Sequence, residues 1–362
     1  MDPQIIPLEN STTTETNLDL GSDSFAYIGA GIRIASEQDN AVAVENRTIV
    51  QVDGDAIGNT AYSAEGDHNA LTVGAHGLVW GNTAAVFSTG ADNYIENAGD
   101  MFGNIVGVAL FGPLHGELHN SGTILAGTRS FMGINAGIFV VGNDMSASSQ
   151  LIDNSGVIAT QLPGSFAISS GGNVIDRVIN TGRITGRVAL DAGNDLLDTS
   201  RGALTGRIDM GAGSDTVKGS AGVDVIVGGT GNDLLIGNAG NDVLRGDAGA
   251  DLLTGGAGAD RFIFRSGDSP TAAAAQDHVT DFSHAQHDRI DLHLIDANTK
   301  LANDQAFGFI GTRAFTHHAG ELHYAVSGGN AFVSGDIDGN GTADFTIRLD
   351  HVPTLAAADF IL

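Results

Sequence analysis

Six aspartates recur every nine residues, at Asp215, Asp224, Asp233, Asp242, Asp251 and Asp260. A glycine stands two residues before each (Gly213, Gly222, Gly231, Gly240, Gly249, Gly258), and an apolar residue two after each (Val217, Ile226, Leu235, Leu244, Leu253, Phe262). The chemistry open to such a set is the holding of a hard cation. Calcium takes six to eight oxygen ligands, so one carboxylate does not suffice. Glycines allow a turn to adopt positive φ and aim its carbonyl oxygens inward, at positions such as Gly229 and Gly256. The apolar residue two places after each aspartate shares its face of the strand and can enter a core. Two nine-residue units make one coil of eighteen. Asp224 is then expected one coil below Asp242, and Asp233 one below Asp251, with calcium between the coils.

The unit reads G-G-x-G-x-D-x-U-x and resembles the calcium-binding nonapeptide of RTX proteins. The best copies are Gly228 to Asp233 (GGTGND) and Gly255 to Asp260 (GGAGAD). Elsewhere the second glycine becomes Ser220, Asn238 or Asp247. Asparagine and aspartate tolerate a left-handed backbone, so those two changes are mild. Met210 replaces the first glycine of the Asp215 copy, which leaves that first site incomplete.

These turns need a scaffold, and the rest of the chain reads as one. From about Phe25, short apolar strands alternate with Gly, Asn and Asp, without a helical period. A looser repeat runs through Asn97-Ala-Gly, Asn120-Ser-Gly, Asn154-Ser-Gly and Asn180-Thr-Gly, with a degenerate copy at Ser200-Arg-Gly. Asn69 and Asn93 open segments that fit the same rungs. Two rungs, from Gly186 and from Gly206, align without a gap and set Asp195 over Asp215. The expected fold is therefore all-β: an irregular parallel β-helix over 25–210 running into an RTX β-roll over 211–263. A flexible segment, 1–24, precedes it. The N-x-G-x-I rungs resemble those of autotransporter-like and haemagglutinin-like β-helices.

The last hundred residues resemble the C-terminal domain of serralysin-type secreted metalloproteases. The resemblance is carried by ADRFIFRSGDSP, DHVTDF (Asp277 to Phe282), DRIDLHLIDAN (Asp288 to Asn298), DQAFGFIG, GDIDGNGTADFTI and the terminal Asp359-Phe-Ile-Leu. It implies a cap over 264–362 that continues calcium binding and carries an uncleaved C-terminal signal for a type I (ABC) exporter. Within it, Asp336, Asp338, Asn340 and Asp344 follow the first half of an EF-hand loop, although Ile347 stands where the bidentate glutamate belongs. A β-hairpin with an acidic turn reads the same residues equally well.

Composition narrows the partners. The formal net charge is −27, and the chain has two lysines and no cysteine. Such a surface repels nucleic acid, and disulfide staples and thiol chemistry are excluded. No stretch approaches the roughly 20 apolar residues of a membrane span. The N-terminus lacks the basic and apolar regions of a Sec-type leader. Cytosolic calcium is too scarce for such repeats, so the place of action is expected to be extracellular or at the cell surface.

No H-E-x-x-H, G-x-S-x-G or cysteine is present. On that ground no catalytic residue is assigned, and a non-enzymatic surface, adhesion or matrix role is the leading expectation. Cell-surface or matrix polysaccharide is the candidate partner. The alternative is a polysaccharide lyase, hydrolase or epimerase with its site on the β-helix, where Arg183, Arg187, Arg207, Asp191 and Asp209 come near one face.

Overall fold

The computed structural model describes residues 18–36, 39–112, 115–130, 135–142 and 148–362. Most of the segment expected to be flexible, 1–17, lies outside these. Leu18–Leu20 is a strand paired in parallel with Val42–Val44, so regular structure begins before Phe25. Strands dominate throughout, with three short 3-10 turns among the described residues. Among the described residues no helix is long and apolar enough to cross a membrane. The chain divides into two compact units, Met1–Gly206 and Arg207–Leu362. Both are parallel β-solenoids, in which a strand pairs with its counterpart one coil later.

In the first unit the alternation of apolar and polar residues becomes columns. Ala26, Val50, Leu71, Ile95, Leu118, Ile152, Val178 and Leu197 stack in register on one wall, and all are buried. Met101, Ile124, Ile158, Ile184 and Leu204 form a second column. Burying an aliphatic side chain stabilises by about 1.5–3 kcal/mol, so each coil adds its own increment.

The asparagine corners are the polar counterpart. Asn97 donates its amide to Asn120 Oδ1 (2.8 Å), Asn120 to Asn154 (2.7 Å) and Asn154 to Asn180 (2.7 Å). All four are buried, and each amide finds its partner one coil further on. At the fifth corner Asn180 donates to Thr199 Oγ1 (2.9 Å), one residue earlier than the Ser200 copy suggests. Asn69 and Asn93 make a similar ladder at another corner, where the Asn69 N–H donates to Asn93 Oδ1.

In the second unit the apolar residue of each nonapeptide lines the core as its spacing requires. Val217, Leu235, Leu253, Val279 and Leu349 form one column. Ile208, Ile226, Leu244, Phe262, Ile290 and Phe360 form the other. The coiling thus continues past residue 263, where the nine-residue period ends. Longer loops carry the chain to His278–Val279 and Arg289–Leu294, which stack on the roll. An antiparallel meander of Glu321–Ser327, Asn330–Asp336 and Phe345–Leu349 closes the end. The terminal Asp359-Phe-Ile-Leu contributes a strand, Phe360–Ile361, against Arg289–Leu294.

Candidate calcium centre

The aspartates of the second unit form two ladders, joined by one repeated hydrogen bond. Asp215 N–H donates to Asp233 Oδ1 (2.9 Å), Asp233 to Asp251 (2.8 Å) and Asp251 to Asp277 (2.9 Å). On the other edge Asp224 donates to Asp242 (2.8 Å), Asp242 to Asp260 (2.8 Å) and Asp260 to Asp288 (2.9 Å). Every member is buried. The eighteen-residue coil therefore sets Asp224 against Asp242 and Asp233 against Asp251, as the nine-residue spacing requires.

One carboxylate oxygen ties the coils together; the other is left over. Oδ2 of Asp233, Asp242, Asp251, Asp260 and Asp277 is buried and accepts no hydrogen bond. In four of these the oxygen faces the glycine five residues earlier, so closely that a Cβ at Gly228, Gly237, Gly246 or Gly255 would collide with it. A buried charge without a partner is costly, and the carboxyls respond accordingly. Burial pushes Asp233 up to about 7, Asp242 and Asp251 to about 6 and Asp277 to about 9. Asp224, Asp260 and Asp288 are raised by the same cause. Rows of unsatisfied carboxylate oxygens beside carbonyl-bearing glycine turns fit a hard, oxygen-seeking cation.

The substituted copies differ from one another. Asn238 and Asp247 adopt φ of 75° and 67°, the left-handed backbone that replaces glycine. Ser220 instead donates both its N–H (2.7 Å) and its hydroxyl (3.0 Å) to Asp224 Oδ2. Oδ1 is the oxygen of Asp224 left without a partner. Met210, at the first-glycine place of the Asp215 copy, is fully buried.

Three ladder members escaped the nine-residue rule: Asp277 and Asp288 in the second unit and Asp176 in the first. Asp176 N–H donates to Asp195 Oδ1 (2.8 Å), and burial pushes the Asp176 carboxyl up to about 7. The signal that finds them is the dyad of an aspartate and an apolar residue two places on. It recurs off-period as Asp176–Val178, Asp195–Leu197, Asp277–Val279 and Asp288–Ile290. Asp281 adds a carboxylate that accepts the N–H groups of Gly255 (2.9 Å) and Gly256 (2.8 Å).

The acidic loop lies at the tip of the hairpin between Asn330–Asp336 and Phe345–Leu349. Carboxylate oxygens of Asp336, Asp338 and Asp344 approach within 4.8 Å of one another. Backbone N–H groups of Gly339 and Gly341 bind the buried Asp336 (2.7 and 2.8 Å), and Asn340 Nδ2 binds Asp338 (2.9 Å). The hairpin and the converging acidic set are thus both present. The arginine face of the first unit is dispersed among local partners. Arg187 lies 4.7 Å over the Phe166 ring, and Asp191 accepts the Gly172 N–H at 3.2 Å. In the second unit Arg207 pairs with Asp209 at 2.5 Å.

Comparison with known proteins agrees with this geometry. Residues 188–362 match the protein-family model described as peptidase M10 serralysin C terminal. The C-terminal part of this chain, from residue 188, is serralysin-like. The chain is similar in part to solved repeat subunits of the Azotobacter vinelandii mannuronan C5-epimerase. The AlgE6R3 subunit is 28% identical over 41% of this chain and 77% of its own, at TM-score 0.30. The AlgE6R2 subunit is 25% identical over 50% and 93%, at TM-score 0.28. No curated protein sequence matches the chain.

The expectation of a non-enzymatic protein is corrected by this comparison. Both solved structures are subunits of an enzyme, the mannuronan C5-epimerase.

Proposed function

We propose that the chain leaves the cell unfolded through a type I (ABC) exporter, folds outside on meeting calcium, and works at the cell surface or in the extracellular matrix. The observation that carries this reading is the row of buried, unpartnered carboxylate oxygens in the second unit. Bound calcium supplies the positive charge that these oxygens lack. Asp233, Asp242, Asp251 and Asp260 would hold ions with the turns containing Gly229, Gly231, Gly240, Gly249, Gly256 and Gly258. Asp215 and Asp224, the latter with Gly222 in its turn, stand at the ladder starts, Asp195 would serve with Asp176 in the first unit, and Asp336, Asp338, Asn340 and Asp344 would hold a further ion in the hairpin.

Without calcium the same carboxylates repel one another, which favours an extended chain suited to export. With calcium at about the millimolar level of extracellular fluids, binding to the folded form alone draws the equilibrium toward it. The test is far-UV circular dichroism of the full chain during calcium titration after chelator treatment. The β signal of the second unit should vanish in chelator and return with calcium. A spectrum indifferent to chelator defeats the proposal. Secretion is checked separately, by accumulation of the chain in the medium only when a matching type I exporter is co-expressed.

A further inference from the structure

One face of the first unit brings acids, bases and hydroxyls into two parallel columns. Outward positions stack in register as Glu96, His119, Asp153 and Ile179. At the neighbouring asparagine corner, Ser121, Ser155 and Thr181 follow one another. Between the columns lies a cleft of about 390 Å³, lined among others by Glu96, His119, Asp153, Ser155, Thr181 and Arg201.

The cleft is held in shape. His119 Nε2 lies 3.1 Å from Glu117 Oε2, and its Nδ1 lies 3.6 Å from Asp153 Oδ2. The Tyr94 ring packs against the imidazole with centroids 5.5 Å apart. Across the cleft, the hydroxyls of Ser121, Ser155 and Thr181 donate to the carbonyls of Asn97, Asn120 and Asn154 at 3.2, 3.4 and 3.5 Å. Their protons are thereby engaged, and their oxygens are left to accept. The carboxylates of Glu96 and Asp153 also accept, while the Arg201 guanidinium donates.

Acceptors therefore recur along the solenoid axis, one set per strand, at about 4.8 Å intervals, with Arg201 as the donor among them. That arrangement suits a linear polyol, whose hydroxyls both donate and accept at every sugar. Tyr94, partly exposed, adds a flat apolar face for a pyranose ring. Two carboxylates, Glu96 and Asp153, line the cleft with one guanidinium, Arg201, in a chain of net charge −27, which opposes a polyanion. We propose that this cleft binds a neutral polysaccharide strand. The proposal rests on the reading that the first unit works among extracellular polysaccharides, and it is independent of the calcium ladders in the second unit.

The test is affinity electrophoresis of the full chain in saturating calcium. One set of gels contains a neutral β-glucan, a mannan or dextran; the other contains alginate or pectate. Retardation is expected in a neutral gel and not in the polyuronate gels. Glu96→Gln, Asp153→Asn and Arg201→Ala should each weaken it about tenfold, the loss of one charge-assisted hydrogen bond. Tyr94→Ala and Thr181→Val probe the site from other sides, so the test survives if one variant fails to fold. The calcium response in circular dichroism, read on the same samples, must match the unaltered chain. Its failure would count against the calcium reading alone. Absence of retardation in every neutral gel, undiminished retardation of all folded variants, or equal retention by polyuronates overturns the assignment.

Discussion

Asp233 and Asp251 are joined by a hydrogen bond that uses only half of the second carboxylate. The Asp233 N–H donates to Asp251 Oδ1 at 2.8 Å, while Oδ2 of Asp251 is buried without a donor. The two oxygens thus have separate duties, and substitutions can separate them. Asp251→Asn keeps an acceptor for Asp233 but removes the charge, so the midpoint of the calcium titration should rise by about tenfold at unchanged cooperativity. Asp251→Ala removes both. In saturating calcium it should lose a further 1–3 kcal/mol, roughly the cost of leaving the buried Asp233 N–H unpaired. Chemical denaturation at fixed calcium measures the difference; equal stabilities for the two variants would contradict this division of labour.

The ladder carboxyls also set a pH dependence that reverses with calcium. Burial raises Asp242 and Asp251 to about 6 and Asp233 to about 7, above their value in an unfolded chain. Between about pH 4 and about pH 7 the calcium-free folded form therefore holds more protons than the unfolded one. Its stability must fall as pH rises through that window. In chelator, lowering the pH from about 8 to about 5 should restore β structure to the second unit. With calcium present, protons compete for the same oxygens, so calcium affinity should weaken over the same range. Circular dichroism at a series of pH values, with chelator and with calcium, shows both trends. A calcium-free chain that gains nothing on acidification would refute the argument.

The two ladders and the core were legible together because one dyad encodes both: an aspartate for the turn and an apolar residue two places on for the interior. Asp233 with Leu235 shows this within the nine-residue period. Asp277 with Val279 and Asp288 with Ile290 carry the same dyad, but they follow their neighbours by 26 and 28 residues. A reader counting nines passes over them. The asparagine rungs were legible for a similar reason, until the fifth corner placed Thr199 rather than Ser200 under Asn180. The cleft at His119 was not visible in the sequence. Glu96, His119 and Asp153 meet only through strand register, across loops of unequal length.

The asparagine ladder makes a prediction confined to the first unit. Asn154 donates to Asn180 Oδ1 and accepts from Asn120, each at 2.7 Å, and is fully buried. Asn154→Ala takes the donor from Asn180 Oδ1, breaks the Asn120–Asn154 bond while Asn120 keeps the carbonyls of Gly122 and Val157, and opens a small void. A loss of about 2–4 kcal/mol follows from one unpaired buried group and one broken bond. The thermal midpoint of the first unit should fall, while the calcium midpoint of the second stays fixed. Movement of both together would mean that the ladder does more than hold its own coils.

The third glycine of each nonapeptide looks equivalent in the sequence, yet the structure separates Gly222 from the others. Gly231 and Gly258 have φ of +120° and +142°, and a Cβ at either would collide with the carbonyl oxygen of the glycine one coil before, Gly213 or Gly240. Those positions combine a backbone that L side chains avoid with a contact that leaves no room for a methyl group. Gly222 has no such φ, and a Cβ there would meet only Ser220 Oγ, at 3.6 Å. The reason lies four residues before Asp224: Ser220 donates to that aspartate and also accepts the Gly222 N–H at 3.1 Å, which gives this turn its own path. Gly222→Ala should therefore change stability by less than about 0.5 kcal/mol, as at an ordinary surface position. Gly231→Ala and Gly258→Ala should each cost more than about 2 kcal/mol and raise the calcium needed for folding. Denaturant midpoints of the three variants in the same calcium buffer decide it; equal losses at all three would show that the Ser220 turn closes like the rest.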